Sequence, residues 1–114
     1  MKILVVDDNP NVRRMIKSIV GNLVEEVYEC TDGSEALAAY STHHPSYVLM
    51  DIAMGQMDGI AATRQIIKAD PLAKVIIVTN YDEADLREAA QLAGASGYVL
   101  KENLFDVRQF LQTG

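Results

Sequence analysis

The chain has 114 residues, of which 49% are hydrophobic, with one cysteine and a formal net charge of −6. That size fits one domain, residues 1–114, and that composition fits a packed core and excludes disorder. The negative charge counts against direct nucleic-acid binding, no apolar run approaches the roughly 18 residues that span a membrane, and the lone Cys30 excludes an internal disulfide or a cysteine-based zinc site.

Ile3 to Val6 is the first apolar run of strand length, and Asp7-Asp8 interrupts it too early for the apolar region of a signal peptide, which predicts a cytoplasmic protein. Asn9-Pro10 then supplies an N-cap followed by proline at the first helical position. The helix it opens carries Val12, Met15, Ile16, Ile19 and Val20 at three- and four-residue steps. Val27 to Cys30 is a weaker strand, with Cys30 read as an ordinary buried thiol, and Glu25-Glu26 before it as a solvated face. Asp32-Gly33-Ser34-Glu35 resembles a capping box and opens the second helix. His43-His44 before Pro45 has no partners at ligand spacing and reads as a solvated turn.

Tyr47 to Met50 and Val75 to Val78 are continuous apolar runs of the kind buried on both faces of a parallel sheet. Between them Asp58-Gly59 opens a third helix that Pro71 ends. Asp82 precedes a fourth, with Leu86, Ala89, Ala90 and Ala93 on one face and Gly94 as its stop. Tyr98 to Leu100 fits a fifth strand, and Asn103 caps a short fifth helix containing Leu104, Val107 and Leu111.

Five such alternations predict an α/β fold, a doubly wound parallel sheet with helices on both faces. Ligands in such sheets bind outside the carboxyl ends of the strands. Asp7-Asp8, Asp51, Thr79 and Lys101 all fall at that edge. Three crowded carboxylates repel by about 4 kcal/mol per close pair at an effective dielectric near 20, a cost that a divalent cation removes. Hard oxygen ligands with room for water suit Mg²⁺. One carboxylate can then attack phosphorus, with Lys101 and the Thr79 hydroxyl compensating charge on the transferring oxygens.

In this order these residues resemble the receiver domain of two-component response regulators, over essentially the whole chain. Leu49-Met50-Asp51-Ile52-Ala53-Met54, Met57-Asp58-Gly59 and Gly94-Ala95-Ser96-Gly97-Tyr98-Val99-Leu100-Lys101 carry the likeness further. The segment from Val78 to Lys101 looks most like receivers joined to a helix-turn-helix DNA-binding domain. The resemblance implies a flavodoxin-like sheet of strand order 2-1-3-4-5. It makes Asp51 the phosphoacceptor, a sensor histidine kinase the donor, and Mg²⁺ the cofactor, held by Asp7, Asp8, Asp51 and the main-chain carbonyl of Ala53. Thr79 and Lys101 would bind the phosphoryl oxygens, and Thr79 with Tyr98 would form the switch. Readout would pass through the face of the fourth helix, fifth strand and fifth helix. It would act by homodimerisation or by docking an output domain or downstream protein, in transcription regulation. Such a domain promotes only its own phosphotransfer and dephosphorylation and is not otherwise an enzyme.

Three positions depart from the family pattern. Gly55 and Glu102 replace prolines, which predicts a looser acceptor loop and a trans Lys101–Glu102 bond, because a non-proline cis bond costs about 3 kcal/mol. Asn80 stands where a small residue is common and narrows access to the phosphate. Ala53 and Tyr81 occupy the sites that tune hydrolysis, Ala53 holding no water and Tyr81 shielding the phosphate, so self-dephosphorylation is expected to be slow. Three rivals are weaker. A flavodoxin-type flavin carrier needs a phosphate loop where Asp7-Asp8 would repel an anion. Haloacid dehalogenase phosphatases separate the two aspartates by one residue, and a docking module that is never phosphorylated usually lacks one of the acidic, Thr or Lys positions.

Overall fold

Short apolar strands separated by helices with one apolar side have one economical arrangement, a sheet between two helical layers. A computed structural model, which describes residues 1–53 and 58–113, has that arrangement. Among the described residues the strands are β1 (Lys2–Val6), β2 (Glu26–Cys30), β3 (Tyr47–Met50), β4 (Val75–Thr79) and β5 (Gly97–Leu100). All pair in parallel, in the order β2-β1-β3-β4-β5 that the resemblance implies. The helices are α1 (Pro10–Val20), α2 (Ala36–His43), α3 (Gly59–Ala69), α4 (Ala84–Leu92) and α5 (Val107–Thr113).

Side chains alternate across the sheet with a period of two, so each apolar run feeds two cores. Leu4, Val6, Val48, Met50, Val75 and Ile77 meet α2, α3 and α4 through Tyr40, Ile66 and Ala90. Ile3, Val5, Leu49, Ile76 and Val78 meet α1 and α5 through Ile16, Val20, Val107 and Leu111. Both faces of β1, β3 and β4 are thus covered, which is why those strands read as unbroken apolar runs. The edge strand β2 instead shows Glu26 and Glu29 to solvent, a charged rim that discourages pairing with another chain. Register brings Val6 opposite both Cys30 and Met50, and Thr79 opposite Leu100, so the strands end near one another at one edge of the sheet.

Asn9 caps α1 by accepting from the Asn11 amide at 2.9 Å, with Pro10 in the first turn. Met15, expected on the apolar stripe, is 51% exposed, because α1 buries only the narrower line of Ile16 and Val20. The Asp32 carboxylate caps a short 3-10 turn, Gly33–Glu35, but Glu35 reaches back to the amide and hydroxyl of Thr31 rather than to Asp32. Asp82 precedes α4 as the sequence implies, with Glu83 at the cap position and the Asp82 carboxylate engaged by Arg87 Nε at 2.6 Å. Asn103 breaks the helical path just ahead of Leu104. It lies inside a 3-10 run, Lys101–Asp106, at φ −124° and ψ 40°, where the chain bends to bring Leu104 into the same core as Val107 and Leu111.

His43 is no solvated turn. It is the last residue of α2, and its ring stacks on Tyr28 at 3.7 Å between centroids. His44 closes the helix in the left-handed region at φ 48°. Glu25 and Glu26 are exposed as expected, although Glu25 accepts from the N-terminal ammonium at 2.7 Å. Gly55 and its expected loop mobility lie outside the described residues, as do Met54 and Met57. No helix among the described residues is long and apolar enough to cross a membrane.

Candidate functional site: an acidic cluster at the strand ends

Asp7 and Asp51 are the first residues beyond β1 and β3, and the sheet ladder continues just far enough to fix their backbones. The Asp7 amide donates to Cys30 O at 3.0 Å and the Asp51 amide to Val6 O at 2.9 Å. Neighbouring parallel strands stand under 5 Å apart, so residues at adjacent strand ends are forced together. Asp7 is 2% exposed and Asp51 4%, whereas Asp8, one residue into the turn, is exposed. One carboxylate oxygen from each of Asp7, Asp8 and Asp51 can be chosen so that all lie within 4.8 Å of one another. A set of hard oxygen donors with one open, solvent-facing member fits Mg²⁺.

Lys101 follows β5 directly, and its ammonium bridges the two buried acids, 3.0 Å from Asp7 Oδ2 and 3.3 Å from Asp51 Oδ2. The second Asp7 oxygen accepts from the Asn9 amide at 2.8 Å. Burial pushes the Asp51 carboxyl above its usual range, the Asp7 charge adds to this, and Lys101 opposes both. For Lys101, burial pulls downward but is outweighed by its hydrogen bond to Asp7 and by the charge of Asp51, so the ammonium is held more firmly than usual. Asp51 is therefore buried beside one like and one opposite charge, with α3 closing over its backbone. Gly59 donates its amide to Ile52 O at 2.9 Å, and a Cβ on Gly59 would overlap the Asp51 carbonyl and come within 2.9 Å of Met50 Cγ.

A model of the response regulator receiver domain matches residues 3–112. The chain belongs to that family. It is 39% identical over 101 residues to the chemotaxis protein CheY of Bacillus subtilis, covering 88% of this chain and 84% of that protein. It is 38% identical over 100 residues to the regulatory protein AtoC of Escherichia coli, where 88% of this chain spans only 22% of the relative. Among solved structures, the CheX–CheY–BeF3–Mg²⁺ complex from Borrelia burgdorferi aligns at a TM-score of 0.91 and 26% identity, over 99% of this chain and 87% of that one. The protein is a receiver of the two-component type.

In this receiver the remaining positions singled out in the sequence form a second group. Thr79 is fully buried at the end of β4, with its hydroxyl 3.4 Å from the Tyr81 amide, a long hydrogen bond. The Tyr98 hydroxyl donates to the Tyr81 carbonyl at 2.7 Å, and the Arg87 guanidinium lies over the Tyr98 ring at 4.5 Å. Tyr81 itself is 45% exposed, and Asn80 and Ala53 are exposed. No cis peptide bond occurs among the described residues, so Lys101–Glu102 is trans as expected. Burial pushes the Cys30 thiol up to about 11, consistent with an inert structural thiol.

Sequence reading missed two contributors. Gly59 passed as a helix-opening residue, although it is the only residue type that lets α3 approach the Asp51 carbonyl. Arg13 was overlooked within an otherwise solvated helix face. Arg13 Nη1 donates to the Asp7 carbonyl at 2.7 Å and its Nε to Glu29 Oε1 at 2.8 Å. The available signal was the pairing of Arg13 and Lys17, one helical turn apart, with an acid on the neighbouring edge strand.

Proposed function

We propose that this receiver accepts a phosphoryl group from a phosphohistidine of a sensor kinase onto Asp51. The observation that carries the reading is Asp51 itself: buried, at a strand end, with two further carboxylates and a lysine ammonium converging on it. In the transfer, an Asp51 carboxylate oxygen forms the new bond to phosphorus, the phosphorus–nitrogen bond breaks, and the imidazole leaves with the electron pair. Asp7, Asp8, Asp51 and the Ala53 carbonyl are the proposed holders of Mg²⁺. Bound there, the cation would neutralise charge on the acceptor and on the transferring oxygens. The Lys101 ammonium already spans Asp7 and Asp51, and in the phosphorylated protein would pair with a phosphoryl oxygen. The buried Thr79 hydroxyl would donate to another.

Phosphorylation then biases a two-state equilibrium, because Thr79 and Lys101 gain phosphoryl partners in one state only. Tyr98 is the proposed relay, since the Tyr81 main chain joins it to Thr79. Readout through α4, β5 and α5, by homodimerisation or partner docking in transcription regulation, rests on the likeness of Val78 to Lys101 to receivers of DNA-binding regulators. Asn80, Tyr81 and Ala53 are proposed to tune the lifetime of the aspartyl phosphate.

The test is intact mass after incubation with acetyl phosphate and Mg²⁺, beside an Asp51→Asn control and a chelated sample. One added phosphoryl mass on the wild type alone, and only with Mg²⁺, is the expected result. No adduct, with cation binding intact, would overturn it in favour of a docking module.

A further inference from the structure

Asp7 and Asp8 are joined by one peptide unit, and what fixes that unit fixes the spacing of their carboxylates. A peptide is planar, so its carbonyl, amide and both flanking Cα atoms turn together. The Asp7 side of this unit is well held. Its amide donates to Cys30 O, and its two carboxylate oxygens are taken by the Asn9 amide and Lys101. Asp8 is exposed, so its direction depends on the plane of the Asp7–Asp8 peptide. The group that holds this plane is Arg13, whose Nη1 donates to the Asp7 carbonyl at 2.7 Å.

Arg13 is itself held. Its side chain is only 16% exposed, its Nε donates to Glu29 Oε1 at 2.8 Å, and the other Glu29 oxygen accepts from Lys17 at 2.8 Å. Hydrogen bonding by Lys17 and then by Arg13 holds the Glu29 carboxyl below its usual range against a partial cost of burial, so it stays ionised. Glu29 sits on the edge strand and Arg13 on the first turns of α1, so the clamp spans the two elements that flank the acidic turn. The rigid guanidinium fork is suited to serving a carboxylate and a carbonyl at once. Arg14 next to it offers a contrast, as its Nη1 reaches only the exposed Asn11 side chain at 3.1 Å.

We propose that Arg13, oriented by Glu29 and Lys17, is a positioning residue for divalent-cation binding, setting Asp8 relative to Asp7 by holding the peptide that joins them. The inference rests on the reading of Asp7, Asp8 and Asp51 as the cation site. It carries a sign that a simple field effect does not. Removing a positive charge near a cation site should tighten Mg²⁺ binding, whereas loss of positioning weakens it. Loss of an outer partner of a metal ligand typically costs 10–100-fold in metal affinity.

The experiment is calorimetric titration of the full chain with Mg²⁺, without phosphodonor, for wild type, Arg13→Gln, Arg13→Lys, Glu29→Gln and Arg14→Gln. Thermal unfolding in chelator accompanies each titration. Arg13→Gln is expected to raise Kd about 10–100-fold, Arg13→Lys to recover part of the loss, and Glu29→Gln to show a smaller loss. Arg14→Gln, with the same change of charge, should leave Kd unchanged. In acetyl phosphate reactions the Mg²⁺ concentration for half-maximal rate should rise in Arg13→Gln, with the rate at saturating Mg²⁺ near wild type. An unchanged or tighter Kd in a folded Arg13→Gln, or an equal loss in Arg14→Gln, overturns the proposal. If Arg13→Gln does not fold, Arg13→Lys and Glu29→Gln decide it by the same criterion. A wild type that binds no Mg²⁺ overturns the cation-site reading itself, an outcome distinct from failure of Arg13 alone.

Discussion

The Tyr98 hydroxyl donates to the main-chain carbonyl of Tyr81 at 2.7 Å, and this bond ties the ring on β5 to the segment that leaves β4. The Tyr81 amide points back to the Thr79 hydroxyl, so one residue links the buried strand end to the half-buried ring. Arg87 holds the ring from the α4 side at 4.5 Å and is itself fixed by Asp82 at 2.6 Å. Tyr98 is thus restrained by a hydrogen bond and a cation–π contact, each replaceable by water at small cost.

Arg87→Ala should therefore loosen Tyr98 without unfolding the protein. An exposed cation–π contact contributes about 0.5–1 kcal/mol and an exposed ion pair less than about 1. The expected outcome is a small fall in unfolding midpoint, together with displaced or broadened Tyr98 signals in spectra of protein with isotope-labelled tyrosine. Unmoved Tyr98 signals would show that Arg87 does not hold the ring.

Gly59→Ala should be among the most damaging single changes. Its Cβ would meet main-chain atoms of Asp51, which cannot swing aside as a flexible side chain does. Overpacking against backbone is expected to cost about 3 kcal/mol or more, read from urea unfolding, with loss of phosphorylation at Asp51 in any folded fraction. A stability within about 0.5 kcal/mol of wild type would mean that α3 can withdraw from Asp51.

How these sites were legible in the sequence follows from what each depends on. β1, β3 and β4 were clear because burial on both faces makes their composition extreme, and their ends then located Asp7, Asp51 and Thr79. β2 and β5 were weaker because edge strands keep a solvated side, as Glu26 and Glu29 do. The long 3-10 run ahead of α5 was not legible, since it is set by the core that Leu104 joins. Arg13 was hidden for the same reason. A cation on a helix looks solvated until the neighbouring strand places Glu29 and the Asp7 carbonyl beside it.

Mg²⁺ should stabilise the fold, because the folded state alone gathers the three carboxylates. Binding contributes RT ln(1 + [Mg²⁺]/Kd), about 2.7 kcal/mol at a hundred times Kd. In a domain of this size that corresponds to a Tm rise of about 10 °C or more, reversed by chelator. Asp8→Ala should abolish most of the rise while leaving the metal-free Tm within a few degrees, since Asp8 is exposed. A full Mg²⁺ response in Asp8→Ala would remove Asp8 from the cation site.

Without Mg²⁺, Asp51→Asn should be more stable than wild type at neutral pH. Burial and the Asp7 charge raise the Asp51 carboxyl above its unfolded value, so folding favours its protonated form. The stabilisation associated with that raised value is complete below the ordinary aspartate range and is lost as pH rises through the folded value. At pH 7 the wild type therefore holds an ionised Asp51 at a cost, whereas the amide carries no charge and Lys101 keeps Asp7 at 3.0 Å. The expected result at pH 7 is a gain in Tm for Asp51→Asn. It should shrink toward zero as the pH is lowered through the carboxylate range, where wild-type Asp51 takes up its proton in both states. Melting curves of the two proteins in chelator at several pH values provide the check. A variant less stable than wild type at pH 7 would mean that the Lys101–Asp51 attraction at 3.3 Å outweighs burial and the repulsion from Asp7.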